Sequence, residues 1–245
     1  MLDLPSAVAP ALSLFSVSKR FGATQALEDV DIAIEAGEVV ALMGSNGAGK
    51  STLAKIAAGV VRPDSGRIVV AGRELRLASP QAAWAAGIVV VHQSTHQLGV
   101  PGLTVAENLM LDAFCGGGAG ALVSKLPTVR KARRIADGIG FDAPLDQDFG
   151  TLGPAQRQLV AIARAVAAEA PVLILDEPTA SLSASEADRL FGVVDRLSRR
   201  GVGVLYISHA LATSAVSPTA SWSCATGARS PTSRSRLISG LLSGR

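Results

Sequence analysis

The stretch VVALMGSNGAGKSTLAKIAAGVV, residues 39–61, constrains the fold of this chain more than any other part of it. The apolar run Val39 to Met43 predicts a short buried strand, and a glycine-rich loop follows it directly. Apolar residues then recur at helical spacing, at Leu53, Ile56, Ala57 and Val60. Strand, loop and helix in this order predict an α/β protein with a phosphate-binding loop.

The loop itself carries the chemistry of a nucleotide site. Its glycines let backbone N–H groups turn towards phosphate oxygens, and the helix that follows adds partial positive charge at its N-terminus. Lys50 supplies a full positive charge to the β- and γ-phosphates, and the Ser51 hydroxyl is placed to bind Mg²⁺. The predicted phosphate-binding residues are Gly44, Ser45, Asn46, Gly47, Ala48, Gly49, Lys50, Ser51 and Thr52.

A pair of adjacent acids forms the second element of this site. The apolar run Val172 to Leu175 predicts a buried strand that leads directly into Asp176 and Glu177. A carboxylate at the end of a parallel strand beside a phosphate loop can bind Mg²⁺, and the next carboxylate can accept a proton from an attacking water. The sequence therefore predicts nucleotide hydrolysis as well as nucleotide binding.

The charge of the chain argues against a nucleic-acid partner. The 23 Lys and Arg exceed the 20 Asp and Glu, but four arginines lie after Ala210 and no acid does, so residues 1–209 hold 19 basic against 20 acidic groups. A neutral body offers no basic surface for a phosphate backbone. The two cysteines have neither metal-ligand nor disulfide-framework spacing, which favours a reducing compartment.

Several further motifs follow the same order as in the ATP-binding subunits of ABC transporters, which the chain resembles from about residue 12 to 209. These are Phe21 in KRFG, the phosphate loop, Gln93 after the predicted strand 88–92, LGPAQRQ at 152–158, LILDEP at 173–178, SLS at 181–183, and His209 in YISH. TVAENLML at 104–111 and AQRQLVAIARA at 155–165 are most similar to importers of ribose, xylose and other monosaccharides.

This resemblance implies a role for each matching residue, with ATP and Mg²⁺ bound. Phe21 would stack on adenine, while Gln93 and Asp176 would join Ser51 in binding Mg²⁺. Glu177 would activate the attacking water, with Gln93 and His209 as the other catalytic residues and His209 contacting the γ-phosphate.

The resemblance also implies that two such domains pair, with each ATP held between the phosphate loop of one and the signature of the other. Gly153 and Gln156 occupy the signature positions here. The family's usual LSGGQ carries a serine hydroxyl for the γ-phosphate, whereas Gly153 has none and Pro154 lacks a backbone N–H. We expect this half of the composite site to be weakened.

The fold implied is that of a P-loop NTPase: a RecA-like parallel sheet with an antiparallel β part at the N-terminal side, plus an α-helical subdomain. We predict one ATP-binding domain over 11–209, with the helical subdomain at about 94–158. Within it, Val129 to Asp137 predicts a basic-faced helix. A capping box from Ser183 to Glu186 predicts the start of another helix, which ends before Gly201.

The tail over 210–245 has a different character. Nine serines follow Ala210, without a periodic apolar pattern, which favours an aberrant or disordered segment. One permitted set of codons for residues 212–227, read from its third nucleotide, encodes DIRRIADRIVVLRDG, which resembles the segment that follows the histidine in the family. We hypothesise a frameshift near Leu211 that truncates the domain; a naturally divergent tail is the alternative.

Three functions remain open from the sequence. The first is an ATPase subunit that drives sugar import, with permease subunits, a second ATP-binding domain and, indirectly, a periplasmic or lipoprotein sugar-binding protein as partners. Such a subunit would lie at the cytoplasmic face of the cell membrane as a peripheral protein. The second is a truncated, non-catalytic nucleotide-binding remnant, and the third is an ABC ATPase without a transport role.

Overall fold

The computed structural model describes residues 9–44, 47–91, 98–111, 125–142, 144–180 and 182–208, and the backbone of 234–239. Its strands are β1 (Leu12–Phe21), β2 (Thr24–Ile34), β3 (Glu38–Met43), β4 (Ser65–Val70), β5 (Arg73–Leu75), β6 (Ile88–Val91), β7 (Val172–Asp176), β8 (Gly203–Ser208) and β9 (Arg234–Ser239). Its helices are α1 (Lys50–Ala57), α2 (Pro80–Ala85), α3 (Val105–Leu109), α4 (Lys125–Ile139), α5 (Pro154–Ala167) and α6 (Ala184–Arg199).

A five-stranded parallel sheet, in the order β6-β7-β8-β3-β9, forms the centre of the fold. The strands β3, β6, β7 and β8 read as nearly continuous apolar runs because both faces of the sheet are covered there. One face packs against the helices through Leu173, Leu175, Val204 and Tyr206. The opposite face packs against α1 and the antiparallel sheet through Val172, Ile174, Leu205 and Ile207.

The antiparallel sheet has the order β2-β1-β4-β5 and lies towards the N-terminus of the chain. On β1, Leu12 and Leu14 face the core, and a register shift between Leu14 and Val17 returns Val17 to the same core. The predicted fold class, an α/β protein with a parallel core, an antiparallel N-terminal part and helices, is confirmed. The division into a domain over 11–209 and a helical subdomain over about 94–158 stays a prediction.

The helices agree with their predicted cores but not with every boundary. In α6, the predicted capping box is present and Leu190, Val193, Val194 and Leu197 are buried. The helix α1 ends at Ala57, so Val60, predicted as part of its apolar face, lies beyond it and is 53% exposed. The helix α4 begins at Lys125, earlier than predicted, because a proline is tolerated in the first helical turn and Pro127 does not delay the start.

Part of the tail takes a regular structure. Residues Arg234–Ser239 pair in parallel with Glu38–Met43 as β9, at the edge of the central sheet. The structure therefore differs from the predicted disordered tail at these six positions. The hypothesis of a frameshift near Leu211 concerns residues outside the described ranges and stays a hypothesis. Among the described helices, none combines the length and apolar character needed to cross a membrane.

Candidate functional site

The carboxyl ends of three neighbouring strands meet at one level of the parallel sheet. Met43, the last residue of β3, pairs with Ser208 of β8. One step back, Ile207 pairs with Leu42 on one side and with Asp176 of β7 on the other. Adjacent strands lie about 4.8 Å apart, so β3 and β7 are separated by roughly 10 Å. The phosphate loop after β3 and the acid pair after β7 thus emerge at the same edge, with only β8 between them.

Two glycines shape the phosphate loop. Gly47 and Gly49 have φ angles of 85° and 80°, in the left-handed region that favours glycine. A Cβ on Gly49 would lie 2.3 Å from the carbonyl oxygen of Ala26, so only glycine fits where the loop touches β2. A Cβ on Gly47 would meet nothing within 4 Å, so open space faces this part of the loop.

Lys50 and Ser51 follow at the start of α1. The Lys50 side chain is 5% exposed, and its Nζ donates to the carbonyl oxygen of Gly44 at 2.7 Å. The ammonium group is thereby held over the loop backbone. Ser51 is exposed at the second position of α1, and Thr52 is half-buried. Gly44, Gly47, Ala48 and Gly49 complete the described part of the loop, whereas the predicted Ser45 and Asn46 lie outside the described residues.

The acid pair begins a tight turn. Asp176 ends β7, and Glu177 follows with a φ of 55°, an unusual value for a residue with a side chain. The Glu177 N–H donates to the carbonyl oxygen of Ile207 at 2.9 Å, which ties the turn to β8. The Thr179 and Tyr206 hydroxyls are 2.9 Å apart and share a hydrogen bond. Burial raises the pKa of the Tyr206 hydroxyl; the Thr179 hydrogen bond opposes this shift, and the charge of Glu177 adds to it.

The predicted adenine-stacking residue lies in the hairpin that touches the phosphate loop. Phe21 ends β1 and is 49% exposed, with Lys19 Nζ 5.5 Å from its ring centroid. Lys19 pairs with Leu27, whose neighbour Ala26 contacts the loop at Gly49. Phe21 is two residues beyond Lys19, and each residue of a strand adds about 3.4 Å. Phe21 therefore lies within about 10 Å, measured along the strand, of the point where Ala26 contacts Gly49. Its open ring face can accept a base.

The signature segment is held on the helical part of the molecule. Gly153 is the N-cap of α5 with Pro154 at the first helical position, where the missing N–H costs nothing. The Gly153 N–H donates to Gln156 Oε1 at 3.3 Å. Arg157 donates to the carbonyl oxygen of Gly150 at 2.6 Å, which fastens α5 to the 3₁₀ turn Phe149–Thr151. A Cβ on Gly153 would meet nothing within 4 Å, so its missing side chain is not demanded by packing.

The donors present at the sheet edge fit Mg²⁺. The Ser51 hydroxyl and the Asp176 carboxylate are oxygen ligands, which Mg²⁺ prefers, and it retains several waters beside them. Mg²⁺ in nucleotide sites is usually bound by one or two protein oxygens together with the substrate phosphates, and the two donors at this edge fit that arrangement. The third predicted ligand, Gln93, lies outside the described residues, as does the predicted catalytic residue His209.

Three polar side chains important to this arrangement were missed from the sequence, which indicated no role for Tyr206, Thr179 or Asn108. Asn108 is fully buried, and its amide bonds to the backbone of Val100, Leu103 and Thr104. A lone tyrosine in an aliphatic strand and an asparagine in an apolar helix were the available signals.

A parallel sheet whose strand ends bring a glycine-lined phosphate loop and an acid pair to one edge defines a P-loop NTPase. Residues 27–180 match the family model described as ABC transporter, and the chain belongs to this family.

Among curated relatives, the chain is similar to the ribose import ATP-binding protein RbsA of Corynebacterium glutamicum. The two are 44% identical over 203 residues, which cover 83% of this chain and 38% of that protein. The chain thus spans about two fifths of the length of the curated relatives it matches. The predicted resemblance to sugar importers is confirmed.

Solved structures agree with the fold. An ATP-binding cassette of an ABC transporter in its ADP conformation has a TM-score of 0.72 and 29% identity, and the match covers 82% of both chains. The dimeric post-hydrolysis state of another cassette, bound to ADP and Pi, has a TM-score of 0.66 and 26% identity, over 81% of this chain and 88% of that one. The predicted enzyme class, an ABC-type ATPase, is confirmed at the level of the family.

Proposed function

We propose that this chain binds and hydrolyses ATP to drive import of a sugar, ribose or a related monosaccharide, through a partner permease. One observation carries the hydrolytic part of the proposal: the phosphate loop and the pair Asp176 and Glu177 leave the same edge of the sheet, with β8 between them. The transport part is supported by similarity to a protein named for ribose import.

In the proposed site, the loop N–H groups and Lys50 bind the β- and γ-phosphates, and Phe21 stacks on adenine. Ser51, Asp176 and Gln93 would hold Mg²⁺, which would supply charge neutralisation to the phosphates. The Glu177 carboxylate accepts a proton from the attacking water, and His209 contacts the γ-phosphate. The water oxygen bonds to the γ-phosphorus as the bond from that phosphorus to the bridging oxygen of ADP breaks, which gives ADP and inorganic phosphate.

The proposed partners follow from the family and from the dimeric cassette among the similar solved structures. A second ATP-binding domain, from another copy or another chain, receives the Gly153 and Gln156 signature against its nucleotide, an arrangement supported by the dimeric cassette in the comparison. Permease subunits contact the helical subdomain, so the chain lies at the cytoplasmic face of the membrane. A periplasmic or lipoprotein sugar-binding protein acts through the permease, and nucleic acid has no part.

Steady-state ATP turnover of the purified chain tests the hydrolytic proposal. Glu177→Gln keeps the shape of the side chain but removes the base, and a positioned base contributes roughly 100-fold to 10,000-fold. We therefore expect kcat to fall by at least about 100-fold. Glu169→Gln is the matched control, because Glu169 is an exposed glutamate with a similar φ of 52° outside the site, and it should retain the full rate. Equal rates for wild type and Glu177→Gln contradict the proposal.

A second candidate, a remnant that binds nucleotide without hydrolysing it, is favoured by one observation. Gly153 caps α5 without a side chain where the family carries a serine, so this position offers no hydroxyl to the γ-phosphate of a partner domain's nucleotide. ATP binding by wild type with no turnover above that of Glu177→Gln would establish this alternative.

Sugar coupling needs its own experiment. The chain is co-purified with a candidate permease in proteoliposomes, and ATP turnover is measured with and without ribose and a ribose-binding protein. We expect turnover to rise with the sugar. Turnover that is independent of every monosaccharide tested would leave the ATPase proposal standing and refute the transport proposal.

A further inference from the structure

The turn that carries Glu177 is held from β8 by two consecutive residues. Ile207 holds it through its carbonyl oxygen, which accepts from the Glu177 N–H at 2.9 Å. Tyr206 holds it through its hydroxyl, which shares a hydrogen bond of 2.9 Å with Thr179. The Thr179 carbonyl oxygen in turn accepts from the Leu182 N–H at 3.2 Å, so Thr179 lies between the acid pair and the segment that leads into α6.

Tyr206 is an unusual residue for its position. It is the one tyrosine in the chain, and it lies in a strand whose other core residues are aliphatic. The side chain is 5% exposed, and its ring packs against Phe191 of α6 with the centroids 5.8 Å apart. Burying a hydroxyl is costly unless it is hydrogen-bonded, and a phenylalanine would fill the same space without that cost. We therefore attribute the presence of tyrosine rather than phenylalanine at this position to the hydrogen bond between its hydroxyl and Thr179.

The contacts from β8 are needed because the backbone of Glu177 is strained. Its φ of 55° places a residue with a Cβ in a region that such residues rarely adopt, and it persists only where neighbouring contacts enforce it. The Tyr206 hydroxyl and the Ile207 carbonyl hold the turn from the β8 side, and Pro178 within the turn is buried. The raised pKa of Tyr206, due first to burial and in part to the Glu177 charge, agrees with a phenol close to this carboxylate.

We infer that Tyr206 is a positioning residue for ATP hydrolysis: its hydroxyl, bonded to Thr179, fixes the turn that aims Glu177 at the attacking water. The inference rests on the proposed function. In this role, residues of β8 fix the position of the Glu177 carboxylate, and the same strand is followed in the sequence by His209. Tyr206 itself touches neither nucleotide nor water in this role.

The kinetic test separates positioning from binding. Tyr206→Phe removes only the oxygen and keeps the ring packed on Phe191, so the fold is retained. The substitution leaves the Thr179 hydroxyl without this partner, which costs more than the net value of one hydrogen bond, and we expect kcat to fall about tenfold with the KM for ATP changed less than about twofold. Thr179→Val should match this loss, and Thr179→Ser, which keeps the hydroxyl, should restore most of the rate. The double variant should lose no more than either single variant.

A measurement without nucleotide tests the same contact. Hydrogen exchange of the Glu177 and Leu182 amides, which bond to Ile207 and Thr179, should quicken about tenfold in Tyr206→Phe and in Thr179→Val, but not in Thr179→Ser. If wild type shows no Glu177-dependent turnover, the proposed function fails, and exchange still decides whether Tyr206 fixes the turn. Turnover and exchange of Tyr206→Phe equal to those of wild type overturn the inference. Should Tyr206→Phe fail to fold, Thr179→Val and Thr179→Ser decide it alone.

Discussion

The phosphate-loop half and the signature half of this chain are held in place by different means. The phosphate loop, Asp176 and Glu177 extend from buried parallel strands whose register is fixed by the sheet. The signature at Gly153 depends instead on side-chain hydrogen bonds between short loops and helix ends. The half fixed by the sheet keeps all its described chemical groups, whereas the loop-built half departs from the family pattern at Gly153 and Pro154.

The supports of the signature half form a chain of polar contacts. Asn108 Oδ1 accepts from the Val100 N–H at 2.7 Å, and its Nδ2 donates to carbonyl oxygens of the same loop. Asp148 Oδ1 accepts from the N–H groups of Gly102 and Gly150, at 3.1 and 2.6 Å. Arg157 then fastens α5 to Gly150. The position of the signature segment therefore depends on these hydrogen bonds.

The largest effect is expected from breaking that network at its buried end. Asn108→Leu leaves a buried N–H and several carbonyl groups without their partner, at a cost of about 1–3 kcal/mol for each unsatisfied group. We expect the free energy of unfolding to fall by about 3 kcal/mol in chemical denaturation. Gln147→Leu is the control, since within the described ranges this exposed amide has one hydrogen bond, to the Thr151 hydroxyl, and a comparable loss there would contradict the prediction.

A somewhat smaller effect is expected in the phosphate-loop half. Lys50→Met keeps most of the aliphatic stem but removes the charge from the phosphates, and a hydrogen bond to a charged group contributes about 2 kcal/mol. ATP binding measured by calorimetry should weaken roughly 30-fold. Lys55→Met, at an exposed position on the same helix, should bind ATP as wild type does. Unchanged affinity in Lys50→Met would show that the loop does not bind phosphate.

Adenine stacking should contribute less. Phe21→Ala removes the exposed ring, and base stacking on an aromatic contributes about 1–3 kcal/mol. We expect about tenfold weaker ATP binding, and a similar loss for GTP because stacking tolerates any base. Phe15→Ala is matched to it, as Phe15 is also exposed on β1 but packs under Arg67, 4.6 Å from the ring centroid to the guanidinium carbon. Equal losses in the two variants would remove Phe21 from the site.

The smallest effect is a gain. Gly153→Ser introduces the family's hydroxyl at a helix N-cap, a position that serine favours and where a Cβ meets nothing within 4 Å. We expect ATP turnover to rise about fivefold, since one hydrogen bond contributes about 1 kcal/mol. Gly153→Ala fills the same space without the hydroxyl and should not raise turnover. An equal rise in both variants would assign the gain to helix stability.

The sequence predicted the sheet-built half well because its signals are local. The apolar runs Val39 to Met43 and Val172 to Leu175 predict buried strands. The phosphate-loop motif then identifies the residues that follow the first of these strands. The bond between Thr179 and Tyr206 joins residues 27 positions apart, so no local period reveals it. Asn108 was missed for a similar reason, since helical spacing shows that a position is buried but not which loop it binds.

The left-handed backbone at Glu177 has a cost for the protein as a whole. Glycine adopts this conformation freely, whereas a residue with a Cβ costs about 1 kcal/mol or more there. Under the proposed mechanism, we therefore expect a Glu177→Gly protein to resist heat better and to turn over ATP at least about 100-fold more slowly. A screen for thermal stability alone would favour glycine over glutamate at position 177. Engineering this position for stability would therefore oppose engineering it for ATP hydrolysis.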